Sequence, residues 1–182
     1  VMTDLNKVVQ DVLTDLEPQI TARQAVVQLK DLPVVSAIPS QMHQLFQNLI
    51  GNALKYRKKE IAPVIQIRSE CVDDATASDE KAPVGKLYRL TVQDNGIGFD
   101  STYAEEIFVV FKRLHSYHQV EGTGVGLAIC KKIVELHKGF IRAESEPNVG
   151  SCFIIGLPAT GSPQPVGVAS NRPQASETGV SN

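Results

Sequence analysis

Gln47-Asn48-Leu49-Ile50-Gly51-Asn52-Ala53-Leu54-Lys55-Tyr56 is the stretch that decides how this chain is read. At about 100° per residue, Asn48, Asn52 and Lys55 fall within an arc of about 60°. Phe46, Leu49, Ile50, Ala53 and Leu54 take the opposite side. Such a helix packs one face and offers two carboxamides and an ammonium on the other. A carboxamide oxygen is a hard ligand that suits Mg2+, and a lysine one turn on can meet a phosphate. A solvated polar face has the same spacing, so the stretch does not decide the chemistry alone.

Three further clusters follow it. Val92-Gln93-Asp94-Asn95-Gly96-Ile97-Gly98-Phe99 puts a carboxylate at a predicted strand end, followed by two glycines that let backbone approach a flat ligand. An exocyclic amine such as adenine's is a suitable donor to that carboxylate; the keto group of guanine is not. A simple Asp-Asn-Gly turn reads the same way. Ile107-Phe108-Val109-Val110-Phe111-Lys112-Arg113 spaces two phenylalanines to anchor a short helix, with Lys112 and Arg113 projecting. Gly122-Thr123-Gly124-Val125-Gly126-Leu127-Ala128-Ile129 is a glycine-rich loop entering a helix, where free N–H groups and the helix dipole attract phosphate oxygens. It lacks the Gly-Lys-Ser/Thr of a Walker loop. It also fails the dinucleotide fingerprint, since no strand leads straight into it and Leu127 stands where a third glycine belongs.

Outward from these clusters the pattern alternates helix and strand. Residues 3–22 have helical spacing through Leu5, Val8, Val9, Val12, Leu13 and Leu16, with Pro18 loosening the end. Residues 26–29 and 33–36 read as two short strands joined by a hairpin turn at Asp31-Leu32-Pro33. The decisive helix should start near Pro39 with Ser40 as N-cap and run to about residue 58. Strands are expected at 64–72 and 87–92, a polar loop at 73–85, a short helix within 104–114, a helix over 125–137, and a closing hairpin of 140–145 and 152–157 around Asn148-Val149-Gly150. The predicted fold class is α+β, a two-layer sandwich with one mixed sheet covered by helices on one face. Residues 1–158 form the predicted domain. Residues 159–182 are Ser, Pro, Gly, Asn and Thr-rich, with only Arg172 and Glu177 charged, and read as a disordered tail.

In their order and spacing the four clusters resemble the N box, first glycine box, phenylalanine box and second glycine box of the sensor histidine kinase catalytic domain, with a soft likeness to phytochrome-like sensors. The resemblance covers roughly residues 5–158. It implies the Bergerat-type ATP-binding sandwich shared with DNA gyrase, mismatch-repair ATPases and related chaperones. By that resemblance Asn52 ligates Mg2+, Asn48 supports the phosphate side, Lys55 contacts phosphate and Tyr56 lies along adenine or ribose. Asp94 holds the adenine amine, with Gly96 and Gly98 shaping its pocket. Arg113 reaches towards the γ-phosphate. Residues 114–121, with His115 and His118, form the ATP lid, and Gly122, Thr123, Gly124, Gly126 and Leu127 make its hinge and phosphate cradle. The chain departs from the pattern at Cys152, where a threonine is usual after Ser151.

The implied cofactors are ATP and Mg2+. The implied partners are a phosphoacceptor histidine domain of the same parent protein and, indirectly, a response regulator. The hydrolysing relatives carry a glutamate where this chain has Asn48, and a neutral carboxamide cannot act as general base for water. Phosphoryl transfer then needs an acceptor, but none of His43, His115, His118 and His137 is followed by Glu or Asp, as the family's phosphorylated histidine is. The expectation is a chain that binds Mg-ATP without phosphorylating itself. Two other readings stay open: a nucleotide-binding docking module, and a serine kinase or ATPase of the same fold.

Composition agrees. A chain of 182 residues gives one domain, and 18 Lys and Arg against 20 Asp and Glu argue against a general nucleic-acid binder. Cys71, Cys130 and Cys152 form no zinc pattern or disulfide framework, which suggests reduced thiols in the cytoplasm, although the parent could be membrane-anchored. A monomer is expected, cut from a longer protein.

Overall fold

The computed structural model describes residues 1–73, 85–109 and 125–159. The predicted loop after residue 73, the lid with Phe111, Lys112, Arg113, His115, His118, Gly122, Thr123 and Gly124, and the tail from residue 160 lie outside the described residues.

The chain opens with β1 (Met2–Asp4), α1 (Leu5–Asp15) and α2 (Glu17–Ala22). Asp4 caps α1 by accepting from the Asn6 N–H at 2.9 Å, and Leu5, Val8, Val9 and Val12 form its buried stripe. The single predicted helix is therefore two. Pro18, which has no N–H, stands in the first turn of α2, where none is required.

The predicted hairpin of β2 (Val26–Leu29) and β3 (Val34–Ser36) does not form. β2 pairs in parallel with β4 (Val64–Asp73), and β3 pairs antiparallel with β1. Asn6 explains the divergence. Its carboxamide accepts from Leu32 N–H and donates to Leu32 C=O, both at 2.7 Å, so the linker between the strands is latched to α1. Thr3, expected in a helix, is buried in β1, where its hydroxyl donates to Ala37 C=O at 2.9 Å.

α3 (Pro39–Lys55) begins after Ile38 as N-cap, with Pro39 in the first turn, two residues earlier than the Ser40 cap the sequence suggests, and it ends before residue 58. Phe46, Leu49, Ile50 and Leu54 are wholly buried. Truncating any one of them to Ala would cost about 2–5 kcal/mol, so the apolar stripe holds the helix and leaves the polar arc free for chemistry.

β4, β5 (Lys86–Asp94), β6 (Phe140–Glu146) and β7 (Gly150–Pro158) complete a mixed sheet in the order β2-β4-β5-β7-β6, with all pairings antiparallel except β2-β4. Ile65, Ile67, Leu90, Val92, Phe153, Ile155 and Leu157 alternate towards the face that meets α1, α3 and α4 (Gly126–Leu136). This is the predicted two-layer sandwich. Between β5 and α4 the described chain forms 3-10 turns at Ser101–Tyr103 and Glu106–Phe108, the second within the span 104–114 where a short helix is expected. Phe108 is buried edge-on against Phe153, centroids 6.3 Å apart. Among the described residues no helix is long and apolar enough to cross a membrane.

Candidate functional site

α3 is fastened at both ends of its polar arc. At one end the Asn48 Nδ2 donates to the carbonyl of Gly126, the first residue of α4, at 3.2 Å. At the other, the Tyr56 carbonyl accepts from the Ile97 N–H at 2.9 Å, tying the helix end to the Gly96-Ile97-Gly98 turn. Eight residues separate these points, about 12 Å of helix. Asn48 and Asn52 are half-buried and Lys55 is exposed. Among the described residues the Asn52 carboxamide has no hydrogen-bond partner, whereas that of Asn48 is engaged. Gly126 and Leu127, at the α4 N-terminus, are half-exposed beside Asn48.

The turn after β5 is built on close backbone contacts. A Cβ at Gly96 would stand 2.4 Å from the Tyr56 oxygen, and Gly98, at φ +61°, would place one 2.1 Å from Glu146 O. Asn148 N–H donates to Ile97 O at 2.8 Å, so the β6–β7 hairpin clamps the turn from the other side. The two glycines are therefore required where this turn packs backbone against backbone.

Asp94 sits where these pieces meet. Its Oδ1 accepts from the Gly96 N–H at 2.9 Å and the Ser151 N–H at 3.2 Å, leaving Oδ2 as the second acceptor. Burial raises its carboxyl from 3.8 to about 6, and the two backbone N–H bonds pull it partly back. At neutral pH the group is mostly ionised and poised to accept a hydrogen bond.

Sequence reasoning missed Ser145 and the backbone role of Ser151. Ser145 Oγ lies 2.8 Å from Ser151 Oγ, donates to Gly150 O at 2.9 Å and receives the Phe99 N–H at 2.9 Å. The alternation of β7 could have signalled Ser151: two residues before Phe153, it shares the helix-facing side with Asp94. The same alternation puts Cys152 opposite Gln93 and Glu144, on the other face of the sheet from the Ser151 side chain.

A cavity of about 420 Å3 reaches Asp94 and Ser151 at the strand ends. It is otherwise lined by residues such as Gln66, Gln93, Glu144, Glu146 and Cys152, with none from α3 or α4. Its carboxylates repel an anion, so the polar arc of α3 is the better candidate to meet a nucleotide's phosphates. Between α3 and α4 the Cys130 thiol is pushed up to about 12, chiefly by burial, with the Asn48 side chain acting the other way. It also approaches Leu45 O at 3.8 Å. A disulfide reagent should label exposed Cys71 first and Cys130 only on unfolding; native-state labelling of Cys130, read by peptide mass mapping, would contradict this packing.

Comparisons with known proteins bear on the family and the fold. The model of the family described as "Histidine kinase-, DNA gyrase B-, and HSP90-like ATPase" matches residues 37–161. Cyanobacterial phytochrome A of Nostoc sp. (strain PCC 7120 / SAG 25.82 / UTEX 2576) is 40% identical over 160 residues, which is 88% of this chain and 19% of the relative. Phytochrome-like protein Cph1 of Synechocystis sp. (strain ATCC 27184 / PCC 6803 / Kazusa) is 40% identical over 156 residues, 86% of this chain and 19% of the relative. The chain thus spans about a fifth of the length of these curated relatives. A solved nucleotide-free catalytic domain of the histidine kinase ThkA superposes with TM-score 0.67 at 26% identity, covering 87% of this chain and 94% of that one. The chain belongs to the histidine kinase-, DNA gyrase B- and HSP90-like ATPase family, and it is similar to phytochrome-like proteins and to the catalytic domain of a histidine kinase.

Proposed function

We propose that this domain, 1–158, holds Mg-ATP along α3 and presents the γ-phosphate to a histidine on a dimerisation and phosphoacceptor domain of the same parent protein. The setting is cytoplasmic two-component signalling, with a response regulator downstream. The observation that carries this reading is the hydrogen bond from Asn48 Nδ2 to Gly126 O. It uses the amide as a donor, which an ionised glutamate cannot be, and it joins the α3 arc to the α4 N-terminus. A site without a general base at this position suits transfer to an external acceptor better than attack by water.

In this reading Asp94 accepts from the adenine amine through Oδ2, and Gly96 and Gly98 admit the base beside Tyr56. The α4 N-terminus, with Gly126 and Leu127, faces the phosphates. Lys55 adds a phosphate contact, and Arg113, Gly122, Thr123 and Gly124 complete the cradle by resemblance. Asn52 offers the oxygen for Mg2+. A single protein oxygen fits that ion, which keeps several waters and shares phosphate oxygens. Bound there, Mg2+ would neutralise charge on the phosphates; the chain itself orients the nucleotide and sets the direction of transfer.

Calorimetry with ADP, with and without Mg2+, tests this. Asn52→Ala should remove most of the Mg2+-dependent gain, about 1.5 kcal/mol or roughly tenfold in Kd, and leave Mg2+-free binding unchanged. Labelled ATP should leave no acid-labile label on the chain alone. The absence of ADP binding by well-folded protein would overturn the reading.

A further inference from the structure

We propose that Ser145 is a positioning residue for Asp94: its hydroxyl fixes the turn after β5 against the start of β7, so that one N–H from each converges on the same carboxylate oxygen. The proposal rests on the nucleotide reading above, in which that carboxylate meets the adenine amine. On the helix-facing side of β6 the row Ile141, Ala143, Ser145 is apolar until its last member. A serine there, half-buried and level with Ser151 across the ladder, is placed for bonding more than for packing.

A hydroxyl has one proton to give and two lone pairs with which to receive. The Ser145 proton goes to Gly150 O at 2.9 Å, and one lone pair takes the Phe99 N–H at 2.9 Å. Ser151 Oγ, 2.8 Å away, therefore supplies the proton of the third bond, and every position on Ser145 Oγ is filled. Phe99 closes the turn that starts at Gly96, whose N–H reaches Asp94 Oδ1 at 2.9 Å. Gly150 and Ser151 open β7, and the Ser151 N–H reaches the same oxygen at 3.2 Å. One hydroxyl thus spans the two segments that hold Asp94. The β6–β7 ladder already pairs Ser145 with Ser151, so the hydroxyl contributes aim beyond strand pairing. Holding Oδ1 from two sides fixes the plane of the carboxylate, and with it the direction of Oδ2. The same two N–H bonds favour the ionised form of a carboxyl that burial disfavours. Loosening either one raises the pH below which Asp94 is protonated and the amine loses its charged acceptor.

Carbon NMR of the Asp94 carboxyl in the nucleotide-free chain, together with ADP calorimetry from acid to neutral pH, tests this in wild type, Ser145→Ala and Ser145→Thr. Ser145→Ala should move the Asp94 midpoint up by about 0.5–1 pH unit and weaken ADP about 3- to 10-fold at neutral pH. Ser145→Thr keeps the hydroxyl on a side chain that suits a strand, and should restore both to the wild-type values. Glu144, Glu146 and Cys152, which border the same cavity as Asp94, and Lys55 at the end of α3 are the same in all three chains. A moved midpoint therefore reports the bonds to Asp94, which a general loss of stability would leave alone. A midpoint unmoved in Ser145→Ala, or moved equally in Ser145→Thr, overturns the proposal. Wild-type chain that binds no ADP would sink the nucleotide reading by itself, while the titration still decides whether Ser145 holds Asp94.

Discussion

Asp94→Asn is expected to weaken ATP and ADP by roughly 10- to 150-fold while raising the melting temperature of the nucleotide-free chain. The first effect follows from losing a charge-assisted acceptor, about 1.5–3 kcal/mol. The second follows from burial. Since the native carboxyl titrates at about 6 against 3.8 for the free group, the folded chain binds this proton more tightly than the unfolded chain. The stabilising contribution is present in full below about 3.8 and is lost as pH rises through about 6. At neutral pH the ionised group therefore destabilises the apo fold by about 3 kcal/mol, at about 1.4 kcal/mol per unit. Asparagine resembles the protonated acid at every pH and still accepts from Gly96 and Ser151 through Oδ1. Thermal melts should show a gain of several degrees at pH 7.5 that shrinks towards pH 4.5. In the wild type, ADP affinity measured by calorimetry should fall below about pH 6. A melting point lowered by the substitution at pH 7.5 would sink the account of Asp94.

Gly150→Ala should instead lower stability and damage fold and site together. Gly150 has φ +142°, and an added Cβ would sit 2.0 Å from the Asp94 carbonyl oxygen, a backbone atom that cannot swing aside. Conformational strain and the clash together should cost about 3–5 kcal/mol and lower the melting temperature by about 10 °C. The Ser151 N–H that holds Asp94 is the next residue, so nucleotide binding should fall with stability. Gly51→Ala is the control. It lies inside α3 with nothing within 4 Å of an added Cβ, and should stabilise by about 0.5–1 kcal/mol. Equal melting points for Gly150→Ala and wild type would refute the close approach.

The parts legible in the sequence were those governed by local periodicity. The stripe of Phe46, Leu49, Ile50 and Leu54 gave α3 and its polar arc, and the alternation through Ile65, Ile67 and Val92 gave the central strands. Asp94 was legible because a carboxylate at a strand end before two glycines is a local pattern. The misread parts depend on distant partners. Nothing near Val26 tells it to pair in parallel with Val64, and nothing near Leu32 tells that Asn6, 26 residues earlier, latches it and opens the expected hairpin. Pairing of this kind is fixed by tertiary context. Ser145 was passed over because a serine among charged strand residues has no signature of its own; its hydroxyl matters only once Gly150, Ser151 and Phe99 surround it.

The two fastenings of α3, at Asn48 and at Tyr56, make that helix a ruler with fixed marks. A single residue inserted between them would rotate one mark by about 100° against the other and push it about 1.5 Å further away. A substitution along this span leaves the spacing of the two marks as it is, whereas a change in residue count parts the Asn48 fastening from the Tyr56 one.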